Sequence, residues 1–209
     1  RPTDGEGLGA ETPWEDLRSL DAGYRFRDLD GKYAYRGTGA GIPLFSELLE
    51  ELPTIRVNVD AKVPGISHLL REEIRRHGAE HRVLVAAEWE RNRRAVQGYP
   101  GPWGASRRNL FGFFFSIHSP FARSFAPACD ALQVPETHWG IRVLTPRFVR
   151  EAHLRNLPIH VWTVDEPADM RRLLDMGVDG IQTDRPDLLA RILVERVGRP
   201  RPPALRPGP

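Results

Sequence analysis

Apolar positions near the C-terminal end of the chain change their period twice. A β-branched apolar run from Ile159 to Val164 stops at Asp165 and Glu166. Pro167 follows, where the first turn of a helix can accept a residue without an N–H. Met170, Leu173 and Leu174 then share one helical face, with Arg171, Arg172 and Asp175 on the other. Gly177 can take the positive φ of a C-cap, and Val178 to Thr183 return as a second buried strand. Strand, helix and strand joined by short links predict a right-handed crossover between parallel neighbours.

The same alternation extends upstream. A short amphipathic helix is predicted over Trp14 to Leu20, and Pro43 opens another whose stripe is Leu44, Leu48, Leu49 and Leu52. Ile55 to Ala61 reads as a strand, Ile66 to His77 as a helix closed by Gly78, and Arg82 to Ala87 as the next strand. Trp89 to Val96 is predicted helical, and the turn-rich GYPGPWG of Gly98 to Gly104 is predicted to be a loop. Ala131 to Val134 is a strand, Thr145 to Leu154 a helix turning Phe148, Val149 and Ala152 inward, and Pro186 to Val194 a closing helix. Between them, Ala105 to Ala131 fits a helix burying Phe113 to Phe115 as well as it fits a strand. Its apolar run, Leu110 to Ile117, falls short of the roughly 18 residues of a membrane span and reads as a buried strand or a lipid-facing loop. Strands near 57, 84, 132, 161 and 181 make five, in an α/β chain.

Composition narrows the class. With 209 residues, 40% hydrophobic and 28% charged, the chain can bury one full core. A single cysteine, Cys129, excludes an internal disulfide and a zinc ribbon. The basic balance is local: Arg196, Arg199, Arg201 and Arg206 lie in a tail without acidic residues, and removing them turns the net +2 into −2 for residues 1 to 195. Residues 196–209 are too rich in Pro to pack and are expected to be disordered, so nucleic-acid binding is not predicted. No signal-peptide pattern is visible, and the compartment is left open, with the cytoplasm favoured.

In parallel α/β folds chemistry gathers at the C-terminal ends of strands. Asp60 and Lys62 stand two apart at such an end and point to one face. Lys62 is one of only two lysines beside 28 arginines, which suggests a compact ammonium is wanted there. An ion pair that merely closes a strand is the competing reading. Trp162, Thr163, Asp165, Thr183 and Asp184 also lie at or near strand ends. Of the seven histidines, His77 and His81 have helical spacing with Glu80 between them, but Gly78 breaks the helix, so metal ligation is not expected, and no nucleophile elbow, P-loop or dinucleotide fingerprint occurs.

Several segments in register carry a resemblance: TDGEG at Thr3, SLDAGYRF at Ser19, GTGAGIPLFSELLEELP at Gly37, RVNVDAK at Arg56, LQVPETHWG at Leu132, RVLTPRFVREAH at Arg142, and HVWTV at His160 with GVDGIQTDRPDLL at Gly177. In order and spacing the chain resembles the glycerophosphodiester phosphodiesterase family, most of all its actinobacterial-type members, over residues 1 to 195. The resemblance implies a (β/α)8 TIM barrel that uses a divalent metal, Mg²⁺ or Ca²⁺, to hydrolyse glycerophosphodiesters to sn-glycerol 3-phosphate and an alcohol. It implies Asp60, where the family usually has Glu, as metal ligand, and Lys62 as a catalytic and substrate-binding group beside the phosphate. It further implies Trp162 as a wall of the glycerol pocket, and Asp184 as support for a catalytic arginine or histidine, unless Asp184 caps the helix at Pro186. Asp165 departs from the family's usual Asn.

The family's His-Arg, Glu-x-Asp and His-Asp motifs are not among these residues, and Arg1 to Gly7 resembles the segment just after the third barrel strand. The expectation is a sequence that enters the barrel partway, with about the last five strand-helix units, inactive alone. Two alternatives accompany it. One is a lysophospholipase D-like enzyme taking a lysophospholipid, with Trp103, Phe111 and Phe113 to Phe115 as apolar rim; the other is a degenerate barrel kept as a binding module.

Overall fold

A computed structural model describes residues 3–7, 9–28, 30–119, 125 and 127–198. The chain divides into two compact units, Arg1–Ile55 and Arg56–Pro209.

The first unit holds helices α1 (Trp14–Arg18) and α2 (Phe45–Glu51) and is otherwise turns. Asp21 organises those turns: its carboxylate accepts from the Gly23 N–H at 2.8 Å and the Gly37 N–H at 2.7 Å. Gly23 must lack a side chain, because a Cβ would sit 2.3 Å from the Tyr35 carbonyl oxygen. Of the leucine stripe on α2 only Leu49 is buried, while Leu44 and Leu52 stay exposed.

The second unit is an arc of parallel strands with helices between them. Strand β1 (Val57–Asp60) pairs in parallel with β2 (Val83–Ala86), Val57 opposite Val83. Strand β3 (Leu132–Val134) pairs with β6 (Ile159–Val161), which pairs with β7 (Gly180–Ile181), all parallel. Trp103 bridges Val85 and Gly104 bridges Ala131, joining the two sheets. Among the described residues six parallel staves therefore stand where periodicity gave five, and the predicted GYPGPWG loop supplies the sixth. Two residues are too few to show a period. Gly104 permits the close approach: a Cβ would meet Gln133 Oε1 at 2.8 Å and the Ala86 Cβ at 3.0 Å.

The crossover predicted from Ile159 onward is present. Helix α7 (Pro167–Met176) has Pro in its first turn, buries Met170 and Leu173, and ends at Gly177 with φ of 93°. Helix α6 (Pro146–His153) starts from Thr145, whose Oγ1 accepts from the Phe148 N–H, and buries Phe148, Val149 and Ala152. Helix α8 (Pro186–Val197) runs past the predicted Val194, so Arg196 and Val197 of the expected tail are helical. Residues 199–209 of that tail lie outside the described residues.

Helix α3 (Ser67–Arg76) joins β1 to β2, while α4 (Glu90–Ala95) and α5 (Arg107–Ile117) lie between β2 and β3. Helix α5 answers the helix-or-strand question for Arg107–Ile117, while residues 120–124 and 126 of the stretch from Ala105 to Ala131 lie outside the described residues, and it corrects the reading of Leu110 to Ile117 as strand or lipid-facing loop. Ser106 caps it, exchanging hydrogen bonds with Asn109 at both backbone and side chain. At about 100° per residue three consecutive phenylalanines cannot share a face. Phe113 and Ile117 are buried, whereas Phe115 is 67% exposed. A hairpin of β4 (Thr137–His138) and β5 (Ile141–Arg142), not predicted, follows β3. The core gathers Phe113, Phe148, Leu132, Leu144, Ile159, Met170 and Leu173 under these elements. Among the described residues no helix is long and apolar enough to cross a membrane.

Candidate functional site

One cavity of about 450 Å³ opens where the strands of the second unit end. Asn58 and Asp60 of β1, Ala86 of β2, Gln133 and Val134 of β3, Trp162 after β6 and Gln182 after β7 form one wall. Lys62 lines the same cavity, so Asp60, Lys62 and Trp162 converge.

Strand alternation puts Asp60 and Lys62 on one side, and Lys62 Nζ donates to Asp60 Oδ2. Both side chains meet solvent, at 39% exposure for Asp60 and 76% for Lys62. A pair so exposed contributes at most about 1 kcal/mol to folding. Buried Asn92 holds the loop beneath them, its Nδ2 donating to the Ala61 carbonyl at 3.0 Å and the Lys62 carbonyl at 2.8 Å. Among the described residues, Asn92 Oδ1 and Gln133 Nε2 are buried without a hydrogen-bond partner. The peptide joining Trp162 to Thr163 is cis, and Trp162 is 44% exposed.

Asp184 does not line the cavity. Its N–H donates to Asp165 Oδ1 at 2.8 Å, and the same oxygen accepts from Thr183 Oγ1 at 2.9 Å. Asp165, which departs from the family's usual Asn, thus fastens the end of β6 to the turn after β7. The cap of α8 is Arg185, with no side-chain cap bond, which overturns the alternative of Asp184 as N-cap. Arg185 instead forks onto Asp187 with two 3.0 Å bonds and holds that carboxyl below its ordinary range.

A second wall is apolar. Leu110, Phe111, Phe114 and Phe115 of α5 line the cavity together with Trp139 and Ile141 of the hairpin. The Arg107 guanidinium lies 4.8 Å from the Trp89 ring and 5.8 Å from each of Phe111 and Trp139, and bonds Glu88 at 3.3 Å. Two residues assigned to the apolar rim from sequence lie elsewhere. Phe113 is buried edge-on to Phe148 with centroids 5.0 Å apart, and Trp103 stacks edge-on to Tyr99 and donates to its carbonyl at 3.2 Å.

Sequence reasoning missed Glu88, Arg107, His138 and Trp139, all of which line the cavity. His138 is the one histidine among the lining residues and stacks on Trp139 at 4.7 Å. Its signal was unreadable because its strand has two residues. Glu136 ties the hairpin down, accepting from Arg172 at 2.7 Å and Arg142 at 3.3 Å. Burial pushes the Cys129 thiol up to about 11, away from the thiolate form.

The chemistry available here is recognition of a phosphate by an exposed ammonium, beside a carboxylate oxygen that suits a hard cation. Among the described residues no three His, Cys, Asp or Glu side chains cluster as a metal cage.

Residues 1–188 match the family described as "Glycerophosphoryl diester phosphodiesterase family". A Mycobacterium tuberculosis protein named "Probable glycerophosphodiester phosphodiesterase 2" is 37% identical over 173 residues, which cover 80% of this chain and 66% of that relative, just under two thirds of its length. A solved glycerophosphoryl diester phosphodiesterase domain from the same organism superposes with a TM-score of 0.71 at 16% identity, covering 91% of this chain and 77% of that one. An Oleispira antarctica phosphodiesterase, solved in complex with the product sn-glycerol-3-phosphate, gives 0.66 at 17% identity, covering 92% and 75%.

Proposed function

The chain belongs to the glycerophosphoryl diester phosphodiesterase family, and from that premise we propose that its cavity binds the phosphate and glycerol of a glycerophosphodiester for hydrolysis to sn-glycerol 3-phosphate and an alcohol. The observation that carries this reading is the convergence of Asp60, Lys62 and Trp162 on one cavity at the strand ends.

Each residue has a role its chemistry permits. The Lys62 ammonium neutralises phosphate charge, most strongly as the diester P–O bond breaks and charge builds on the leaving oxygen. The Trp162 ring packs on the glycerol carbons. Asp184, whose backbone N–H is held by Asp165 and whose carboxylate stands outside the cavity lining, would support a catalytic arginine or histidine at a distance. The family is generally dependent on a divalent metal. Asp60 would give such an ion one oxygen, on an arm one methylene shorter than Glu; the remaining ligands do not come from a cluster among the described residues. Such an ion would supply charge neutralisation at the phosphate oxygens and lower the pKa of the attacking group, the substrate's own 2-hydroxyl or water. Among the described residues no histidine pair for general acid and base lines the cavity, so we expect turnover by the chain to stay at the level of its Lys62→Ala variant.

Calorimetric titration of sn-glycerol 3-phosphate into the chain tests the site without relying on turnover. Saturable binding weakened roughly 10-fold or more by Lys62→Ala, from loss of a charge-assisted bond, is expected. Binding indifferent to Lys62→Ala would sink the reading.

The apolar wall favours a second reading, in which the alcohol carries an acyl chain and the substrate is a lysophospholipid. Lysophosphatidylcholine displacing sn-glycerol 3-phosphate more tightly than glycerophosphocholine does would select it.

A further inference from the structure

We infer that Asn92 is a positioning residue for phosphate binding, which acts by fixing the backbone from which Lys62 reaches into the cavity. This rests on the reading of Lys62 as the phosphate ligand and adds to it the group that holds the lysine in place.

Lys62 lies past the end of the β1–β2 ladder. Strand β1 stops at Asp60, and the Ala61 N–H adds one further bond, to the Ala86 carbonyl at 2.8 Å. The Lys62 side chain is 76% exposed, and its flexible four-carbon stem has much rotational freedom to lose when the ammonium settles on an anion. Its hold on a phosphate therefore depends on how firmly its own peptide is placed.

That peptide is placed from α4. Asn92 Nδ2 spends both of its hydrogens on consecutive carbonyls, Ala61 at 3.0 Å and Lys62 at 2.8 Å. Two bonds from one planar amide to adjacent peptides set the direction of the chain where the lysine leaves it. Helix α4 is fastened in turn. The Asn92 N–H donates to the Trp89 carbonyl at 2.9 Å, and the Arg93 guanidinium reaches Asn109 Oδ1 of α5 at 2.7 Å.

Packing gives no reason for an amide at this position. Asn92 is 1% exposed, and among the described residues its Oδ1 is buried without a partner. Leucine has nearly the same size and would leave no acceptor unpaired, so the amide is retained against a cost to the fold. What it supplies in return is the pair of bonds to the Lys62 loop. A neutral amide also brings donors without setting another charge beside Asp60 and Lys62.

A double-mutant cycle, read by calorimetric titration with sn-glycerol 3-phosphate, separates positioning from general support. Asn92→Leu should weaken binding roughly fivefold where Lys62 is present and less than about twofold in the Lys62→Ala background, because residues that act through one another couple whereas independent ones add. Asn92→Ala, which removes the same bonds without adding an apolar group, should show the same coupling. Equal losses in both backgrounds, no loss where Lys62 is present, or failure of both Asn92 variants to fold would make Asn92 a residue of the fold and overturn the inference alone. Absence of binding by the parent, or binding indifferent to Lys62→Ala, would overturn the phosphate reading and this inference together.

Discussion

The two walls of the cavity are made in different ways. On the strand-end wall, Asp60, Gln133, Trp162 and Gln182 project from staves whose alternate residues Val85, Leu132, Val134, Ile159 and Val161 are buried. Core packing sets where each of these polar groups stands, because a strand cannot shift by one residue without turning its apolar set outward. The aromatic wall rests on one helix face and a two-residue turn. Phe113 and Ile117 hold α5 down, and Glu136 holds the hairpin, while Phe111, Phe115 and Trp139 touch little beneath them. A reaction that needs fixed distances belongs on the first wall, and a preference for one substrate or surface can be rewritten on the second at little expense to the fold.

Helix α5 offers the sharpest way to break that contrast, because two phenylalanines two residues apart fall on opposite sides of it. Phe113 is fully buried against Phe148, and Phe113→Ala should destabilise the chain by about 3–5 kcal/mol in urea unfolding. Phe115→Ala should stay within about 0.5 kcal/mol of the parent. Equal losses would mean that the aromatic wall is part of the core after all.

A smaller effect separates two acids that follow β6 and β7 outside the cavity lining. Asp165 Oδ1 accepts from both Thr183 Oγ1 and the Asp184 N–H, so Asp165→Ala should lower stability by about 1–3 kcal/mol. Asp184 is exposed and offers the turn only its backbone, so Asp184→Ala should lie within about 0.5 kcal/mol of the parent in the same urea series. A large loss at Asp184 would return that carboxylate to the site.

Legibility from sequence divides along the same line. The crossover from β6 through α7 to β7 was legible because each of its signals is local: Pro167 in a first turn, Met170 and Leu173 on one face, Gly177 at positive φ. Asp60 and Lys62 were legible because two residues at one strand end share a side whatever the rest of the fold does. The stave at Trp103 and Gly104 was not, since it exists only through bonds to distant chain, such as the Trp103 N–H to Asp130 Oδ2 at 2.7 Å. The run from Leu110 to Ile117 is apolar at almost every position, so its period vanished and only the Ser106–Asn109 cap, a pair without the usual Glu, marked a helix. Glu88, Arg107 and His138 come together from three separate segments, which no spacing along the chain encodes.

The smallest expected effect probes how dry the strand-end wall is from beneath. His160 lies mid-strand in β6, opposite Gln133 and Gly180, and a Cβ on Gly180 would come within 2.7 Å of its ring. Burial lowers its pKa below the usual histidine value, against a weaker upward pull from Asp179. Asp179 is otherwise engaged, its Oδ2 lying 2.8 Å from His153 Nε2 and accepting from the Ile159 N–H at 2.9 Å. Below the ordinary value of about 6.5 the unfolded chain binds a proton that the folded chain resists, so stability falls with falling pH and rises with rising pH. The loss begins near that value and levels off once the folded histidine also titrates. The lowered carboxyls of Glu151 and Asp187 act only further down, below their own ordinary values of 4.5 and 3.8. Between pH 7.5 and 5.5 the urea midpoint should therefore drop by the equivalent of less than about 1.4 kcal/mol, the value of one pKa unit. His160→Gln should flatten that slope. A midpoint that rises on acidification would mean that the imidazolium finds its partner in Asp179, and that the staves under the cavity floor are wetter than their apolar neighbours imply.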